Sequence, residues 1–342
     1  MVLRGDKSGK DEKTITIRDV AKRAGVAVST ASRALGGGSA SEATREKVRR
    51  AAEELQFVPN LSARRLTGGR SNVVALVAEE PTDFLFRDDF IVGILGQLSA
   101  SLTRRNLLPF LSLVAPGDVA GFEELMGKSG AEGVVAVSFH EGEQFAGSLR
   151  AMDKPIVFIG APPKGYKAPF VDVDNYDGGY QAGRHLVERG CRNIALIEGP
   201  KDMPTPRERT GGFLAALKEN NLEPVMVCSG SYEIENGQRS MERILSACPQ
   251  VDGVFAHSDK IAAGVLQVLD KAGKHIPNDV AVIGFDDLQA ARLLNPPLTT
   301  VAQPLNVVAE AATDMLVYRL EHGSWKVSSQ RFPVRLIVRE SA

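Results

Sequence analysis

Side chains that bind small polar molecules stand at the ends of predicted strands and at one helix start in the second half of the chain. Six of them attract attention: Arg207 and Arg209 in "RERTGGF", Ser258 and Asp259 in "GVFAHSD", and Asp286 and Asp287 in "VAVIGFDD". A carboxylate accepts hydrogen bonds from two neighbouring hydroxyls, and a guanidinium donates to two oxygens. The set therefore favours a sugar-like ligand, although each residue alone is more often a helix cap or half of a surface ion pair.

The framework for these residues is an alternation of short β-branched segments and helical patterns from Asn72 onward. Strands are predicted at Val73–Ala78, Leu108–Val114, Gly133–Val137, Pro155–Gly160, Asn193–Glu198, Val225–Ser229, Asp252–Ala256 and Val280–Phe285. Helices are predicted at Val92–Arg105, Val119–Lys128, Gln144–Met152, Tyr176–Arg189, Arg207–Asn220, Glu235–Ala247 and Lys260–Ala272. This rhythm predicts two parallel sheets covered on both faces, with ligands bound in the cleft beyond the carboxyl ends of the strands.

The first sixty residues follow a different pattern of three short helices. Thr16 is a good cap for the first helix, Gly25 ends it, and Ser41 caps the third. A second helix over Val28–Leu35 turns Ala31 and Ala34 inward. Four of its side chains are left facing outward: Val28, Ser29, Ser32 and Arg33. Helix, glycine turn and short helix form a helix-turn-helix, whose second helix can enter a DNA major groove, although an ordinary three-helix cap is the alternative.

Charge and composition agree with a nucleic-acid partner for this first segment. Residues 1–70 carry 15 basic and 8 acidic side chains, whereas the rest of the chain carries 26 and 34. A basic head on an acidic body suggests that the head meets a polyanion. No apolar run is long enough for a membrane span, and the charged N-terminus lacks a signal-peptide pattern, so we expect a cytoplasmic protein. Three cysteines without metal spacing and five scattered histidines favour no metal, no cofactor and no enzyme activity.

A longer run, "TIRDVAKRAGVAVSTASRAL…SEATREKVRRAAEELQFVPNLSARRL", resembles the DNA-binding head of the lactose-repressor (LacI) family. The matching pieces are "DVAKRAGV", "TASRAL", "TREKV" and "PN…AR.L". The resemblance implies that Val28 and Ser29 touch base edges, and that Arg33 reads a guanine. The full DNA-binding set that it implies is Thr16, Val28, Ser29, Thr30, Ser32, Arg33, Asn60, Ala63 and Leu66. Within this set, Thr30 and Ser32 contact phosphates, and the segment from Asn60 is a hinge helix whose Leu66 wedges open a minor-groove step.

The same resemblance extends to the effector cleft. Arg209 and Asp286 match the arginine and aspartate of the family's sensor, and Tyr232 matches the aromatic that stacks on the ligand. Asp89 and Phe90, in "FRDDFIVGIL", match the wall of the first half. With Ser258 and Asp259, these residues complete the predicted effector site.

Two departures from the family remove partners for ring hydroxyls: Ser258 replaces a usual asparagine, and Gly160 replaces a usual aspartate. The segments "GPKDMPTPRERTGGF" and "HSDKIAAG" resemble the branch of the family that senses glucosides and oligosaccharides more than the branch that senses purines.

The sequence thus predicts an all-α helix-turn-helix head and an α/β sensor core of two doubly wound parallel sheets, similar to periplasmic binding proteins. The expected parts are a basic tail (1–13), the head (14–58), a hinge (59–69), a first sensor subdomain (70–172 and 303–332) and a second (173–302 and 333–342). In the first subdomain we expect a helix over Leu305–His322. The expected protein is a homodimeric repressor of a near-palindromic double-stranded DNA operator, switched by a sugar or oligosaccharide and without membrane contact. A purine or sugar-phosphate effector is the alternative, as is a ligand-binding protein with an incidental head.

Overall fold

The computed structural model describes residues 15–36, 38–57, 71–115, 117–141, 147–149, 151–162, 164 and 166–342. The chain divides into two compact units, Met1–Ser71 and Asn72–Ala342, which we call the head and the core. Along the described stretches, no helix combines the length and the apolar character that crossing a bilayer requires.

The head contains three helices: α1 (Ile17–Ala24), α2 (Val28–Gly36) and α3 (Glu42–Glu54). The predicted end of α1 at Gly25 and the predicted cap of α3 at Ser41 are confirmed. Gly25 ends α1 in the left-handed conformation, with φ 66° and ψ 37°. The hydroxyl of Ser41 accepts the N–H of Thr44 at 3.3 Å. The carboxylate of Asp19 accepts the N–H and the hydroxyl of Thr16 at 2.8 and 2.6 Å, which fixes the start of α1.

Small side chains make up the interior of the head. In the described part of the three helices, the buried hydrophobic residues are valine or alanine: Val20, Ala21, Ala31, Ala34, Val48 and Ala51. These side chains let the three helices approach closely and leave the outer face of α2 free for polar groups.

Twelve strands are seen in the described part of the core: β1 (Val73–Glu79), β2 (Leu108–Val114), β3 (Gly133–Val137), β4 (Ile156–Ile159), β5 (Phe170–Val173), β6 (Ile194–Glu198), β7 (Met226–Ser229), β8 (Gly253–Ala256), β9 (Ala281–Asp286), β10 (Thr299–Ala302), β11 (Ser329–Phe332) and β12 (Arg335–Ile337). The accompanying helices are α4 (Thr82–Leu85), α5 (Asp89–Arg104), α6 (Val119–Ser129), α7 (Asn175–Glu188), α8 (Pro204–Lys218), α9 (Ile234–Ala247), α10 (Asp259–Lys271) and α11 (Leu305–His322). A 3₁₀ turn covers Gln289–Arg292. The helix predicted over Gln144–Met152 lies partly outside the described residues.

The strands form two six-stranded sheets. The first has the order β11-β5-β4-β3-β1-β2 and is parallel throughout. The second has the order β12-β10-β9-β8-β6-β7, in which only β12 is antiparallel to its neighbour. The doubly wound α/β fold predicted from the sequence is therefore confirmed. We call the first sheet with α4, α5, α6 and α11 the first subdomain, and the second sheet with α7 to α10 the second.

The chain passes between the two sheets three times. Residue 174 joins β5 to α7, residues 303–304 join β10 to α11, and residues 333–334 join β11 to β12. Four short strands, β5, β10, β11 and β12, were not predicted, because each is only three or four residues long. They matter for function, since β5 and β10 lead directly into the crossovers beside the cleft.

Glycines bring the helices of the second subdomain into backbone contact. A Cβ at Gly212 of α8 would lie closer than 3.0 Å to the carbonyl oxygen of Tyr176 on α7. The same holds for Gly179 of α7 against the carbonyl of Arg209, and for Gly237 of α9 against that of Ile261 on α10. The helix pairs are consequently rigid supports for the side chains that they carry.

Candidate effector cavity and DNA-binding surface

A cavity of about 250 Å³ lies at the carboxyl ends of the strands, between the two subdomains. All seven residues predicted for the effector site line it: Asp89, Phe90, Arg209, Tyr232, Ser258, Asp259 and Asp286. The structure thus brings together residues that are as much as 197 positions apart in the chain.

Arg209 is the buried cation at the centre of this site. Its Nε donates to the side-chain oxygen of Asn175 at 3.0 Å, and its Nη1 donates to the carbonyl of His257. The guanidinium carbon lies 3.5 Å from the centroid of the Phe285 ring. Nη2 lies 3.9 Å from the carboxylate of Asp286, and no described residue accepts a hydrogen bond from it. One edge of a fixed guanidinium thus remains available for a ligand.

Asp286 supplies an acceptor beside that edge. It has a φ of 116°, which turns the chain sharply at the end of β9. Its Oδ1 accepts from Nε2 of Gln303 at 2.7 Å, while Oδ2 receives no hydrogen bond from a described residue. Burial raises the pKa of Asp286 well above its ordinary value, and Arg209 only partly opposes this. A hydrogen bond from a ligand hydroxyl to Oδ2 would favour the charged form of this buried carboxyl group.

Ser258 and Asp259 line the cavity but already have internal partners. Ser258 caps α10, with its hydroxyl accepting the N–H of Ile261 at 3.1 Å. One oxygen of Asp259 accepts the Thr300 hydroxyl, and the other accepts the N–H of Leu288 at 2.9 Å. Burial raises the pKa of Asp259 to about 7. Their direct contact with an effector stays a prediction, and their observed role is to hold α10, β10 and the turn after β9.

Aromatic and acidic side chains from both subdomains complete the lining of the cavity. Tyr232 packs over Gly199, where a Cβ would overlap its ring, and burial raises the pKa of its hydroxyl. Phe90 is half-buried, whereas Asp89 is exposed at the rim. The neighbouring Asp88, which sequence reasoning passed over, is buried and caps α5 by accepting the N–H of Ile91 at 3.0 Å.

Three further residues of the site were missed: Asp172, Asn175 and Gln303, which all line the cavity. Asp172 lies within the unpredicted strand β5, and Asn175 and Gln303 follow β5 and β10 at the crossovers, so no strand pattern marked them. The only signal in the sequence was the polar "VDVDN" run after an apolar residue.

Two residues expected at the cleft do not line the cavity. Arg207 forms a two-pronged ion pair with Glu141 of the first subdomain, at 2.6 and 3.1 Å. Asp287 pairs with Arg339, and its other oxygen lies 3.6 Å from Arg292. Both residues turn away from the cavity because a closer partner of opposite charge is available.

Ion pairs also join the two subdomains at the cleft rim. His140, which follows β3, lies 2.8 Å from Asp202 of the second subdomain and 3.3 Å from Glu80 of the first. The hydrogen bond with Glu80 is the main cause that raises the pKa of His140 to about 9. Arg331 of β11 binds Glu208 of α8 at 2.8 and 2.9 Å. These contacts hold the two subdomains together at the rim of the cavity.

In the head, α2 presents the side chains expected of a recognition helix. Val28 is 43% exposed, and Ser29, Ser32 and Arg33 are also exposed, while Thr30 is half-buried. Thr16 is exposed at the start of α1. The remaining predicted DNA contacts, Asn60, Ala63 and Leu66, lie outside the described residues.

Comparison with known proteins identifies both units. Residues 16–60 match the model of bacterial regulatory proteins, lacI family, and residues 184–342 match a periplasmic binding protein-like domain. The chain is 36% identical to the HTH-type transcriptional regulator CelR of Thermobifida fusca, over 95% of this chain and 98% of that regulator.

Two solved structures are similar over nearly the whole chain. A transcriptional regulator CelR–cellobiose complex has a TM-score of 0.76 at 34% identity, covering 96% of this chain and 100% of that one. The Lac repressor dimer bound to operator and the anti-inducer ONPF has a TM-score of 0.83 at 24% identity, covering 96% and 99%, and shows the shared fold.

A helix-turn-helix head joined to a two-subdomain core defines a DNA-binding transcriptional repressor. The chain belongs to the LacI family of bacterial regulatory proteins. Members of this family are transcriptional regulators and not enzymes, and they combine operator binding with a small-molecule effector.

Proposed function

We propose that this repressor binds a near-palindromic operator as a homodimer, and that a neutral sugar bound in the cavity of the core switches its DNA affinity. The observation that carries the effector class is the excess of hydrogen-bond acceptors at the cavity. Oδ2 of Asp88, Asp172 and Asp286 receives no hydrogen bond from a described residue. The same lining supplies the donors Nη2 of Arg209 and the hydroxyl of Tyr232. A ligand with many hydroxyl donors satisfies this arrangement.

The charge of the cavity disfavours an anionic effector. Its lining contains five carboxylates, Asp88, Asp89, Asp172, Asp259 and Asp286, and three cations, Arg87, Arg209 and Lys260. Two of these cations have acidic partners already, since Lys260 lies 2.8 Å and Arg87 3.7 Å from Glu233. A phosphate would add negative charge beside the buried acids without a free cluster of cations, which costs free energy in a buried site.

The aromatic rings of the cavity also favour a sugar. Phe84, Phe90 and Tyr232 line the cavity, and a sugar ring has C–H faces that pack on such apolar surfaces. The similar CelR structure was solved with cellobiose. A purine would also stack, but it offers few donors to three free carboxylate oxygens.

Calorimetry on the full-length protein tests the effector class. The panel contains cellobiose, glucose, ribose, hypoxanthine and glucose 6-phosphate at neutral pH. We expect a neutral sugar to bind and the last two compounds to bind at least tenfold more weakly, because neither supplies enough hydroxyl donors without added charge. Tighter binding of hypoxanthine or glucose 6-phosphate would instead establish the alternative effector classes.

The DNA-binding proposal rests on the exposed face of α2. Arg33 is exposed, and its Nε donates to the carbonyl of Ser29 at 3.3 Å, which leaves both terminal nitrogens for a base. An arginine in the major groove binds the O6 and N7 of guanine with two hydrogen bonds. Two heads of a dimer would read two half-sites related by the operator's symmetry.

Arg33→Ala will lower affinity for the operator by about 5- to 150-fold, since a bidentate arginine–guanine pair contributes roughly 1–3 kcal/mol of discrimination. The operator is first selected from random duplexes at a stated salt concentration. Arg23→Ala is the matched control, because Arg23 pairs with Glu54 at 2.5 Å on the head. We expect the control to weaken all duplexes slightly and equally. A selection without any sequence preference, or equal effects of the two variants, would contradict this role of α2.

A further inference from the structure

Asp172 is a buried carboxylate with one satisfied oxygen and one free oxygen. It lines the cavity at the end of β5 in the first subdomain, and it is 8% exposed. Its Oδ1 accepts the N–H of Val173 at 2.7 Å and Nδ2 of Asn175 at 3.0 Å. No described residue donates a hydrogen bond to Oδ2.

The charged groups around Asp172 leave this oxygen free. Arg331 is its register partner on β11, but the guanidinium binds Glu208 of α8 instead. Arg209, also on α8, reaches Asp172 only through Asn175. Burial, which outweighs the neighbouring cations, raises the pKa of Asp172 to about 6. A buried, half-satisfied carboxylate is costly unless a donor completes it.

Space for that donor lies next to Asp172. Gly160 follows β4 and donates its N–H to the carbonyl of Val171 at 2.8 Å, so that it stands beside Asp172 on the neighbouring strand. Gly160 also lines the cavity, and a Cβ built on it would have no atom within 4 Å. The absence of a side chain at this position leaves room for a ligand group.

Asn175 couples Asp172 to the other subdomain. Its Nδ2 donates to Asp172, and its Oδ1 accepts Nε of Arg209 at 3.0 Å. This fully buried amide lies directly after the crossover at residue 174. An acceptor from the first subdomain and a donor from the second are thereby held in one fixed arrangement.

We propose that Asp172 is a specificity-determining residue of the effector site, whose Oδ2 accepts a hydrogen bond from one particular hydroxyl of the sugar. This inference rests on the proposed function, a neutral sugar effector. A sugar that lacks this hydroxyl leaves the carboxylate without a hydrogen-bond donor and therefore binds more weakly. A site that hydrogen-bonds a substrate hydroxyl discriminates strongly against the analogue that lacks it.

Calorimetry with deoxy sugars tests the proposal. The probes are cellobiose and its monodeoxy derivatives, or those of glucose or ribose if that sugar binds more tightly. With the wild-type protein, we expect one derivative to bind about 10- to 100-fold more weakly than the parent sugar. With Asp172→Asn, the parent sugar will lose a similar factor, and the same derivative will now bind within about threefold of it. Deleting one hydroxyl stops weakening the binding in the variant only if that hydroxyl contacts the Asp172 side chain directly.

Asp153→Asn is the matched control, since Asp153 is an exposed carboxylate of the same subdomain. We expect it to keep the wild-type affinities. If Asp172→Asn does not fold, Asp172→Ser is measured in the same way. If every deoxy sugar binds the variant as much more weakly than the parent sugar as it binds the wild type, the proposed role of Asp172 is wrong. The proposal of a sugar effector would still stand. Failure of the wild-type protein to bind any neutral sugar would overturn the proposed function itself.

Discussion

Replacing Arg209 by alanine will abolish the response of DNA binding to the effector and destabilise the core. The side chain holds Asn175 and the carbonyl of His257, stacks on Phe285 and faces Asp286. Its loss leaves two buried acceptors unpaired and removes the cation nearest to a buried carboxylate. Removing one partner of a buried charge pair costs about 3–5 kcal/mol.

Effector affinity should fall about 10- to 150-fold in Arg209→Ala, because the charge-assisted hydrogen bond that Nη2 donates to the ligand contributes roughly 1.5–3 kcal/mol. Operator titrations with and without the sugar, together with calorimetry, measure this loss. The direction of the wild-type response does not affect the test, since any response requires different affinities for two states. Arg184→Ala is the control, as Arg184 forms an exposed pair with Glu188 at 3.3 Å. A wild-type sugar response in Arg209→Ala would refute the central position of this residue.

Gly212→Ala will lower the free energy of unfolding of the core by about 3 kcal/mol, the upper part of the range for overpacked interiors. The new methyl group would collide with the backbone carbonyl of Tyr176, which cannot move aside like a flexible side chain. Separating α7 from α8 would also displace Arg209, so effector affinity should fall together with stability. Denaturant unfolding monitored by circular dichroism measures the first effect.

The matched control is Gly127→Ala on α6. A Cβ at Gly127 meets nothing within 4 Å, and the residue is exposed in a helix. Alanine is favoured over glycine there by up to about 1 kcal/mol, so this variant should be as stable as the wild type or more stable. Equal destabilisation by both substitutions would show that helix propensity, and not contact between backbones, decides the outcome.

Long amphipathic and β-branched segments were predictable because their periodicity is local. The helix expected over Leu305–His322 has the same bounds in the structure, and β2 and β3 also match. β12 could not be found in this way, because its three residues become a strand only by pairing with β10, more than thirty positions earlier. Local patterns therefore gave the layers of the fold but not the edges of its sheets.

The residues of the site also divide into those that local sequence patterns predict and those that depend on the packing of distant segments. Arg209 and Asp286 could be named from the sequence, since they adjoin strongly patterned elements and match a family motif. Asp172 and Gln303 could not, because their role arises from crossovers that bring distant segments together. Asp88 and Asp89 are neighbours of identical type, and only the packing of α5 decides that Asp88 is the buried one.

The valine and alanine interior of the head has a thermodynamic consequence. About 40 residues with only small buried side chains are near the lower size limit for a unit that folds without disulfides or metals. We expect such a unit to open locally at small cost and its amide protons to exchange faster than those of the core. A ligand that binds only the folded state stabilises it by about 2.7 kcal/mol at a concentration of 100 Kd. The operator is such a ligand for the head, so we expect DNA binding to raise the stability of the folded head.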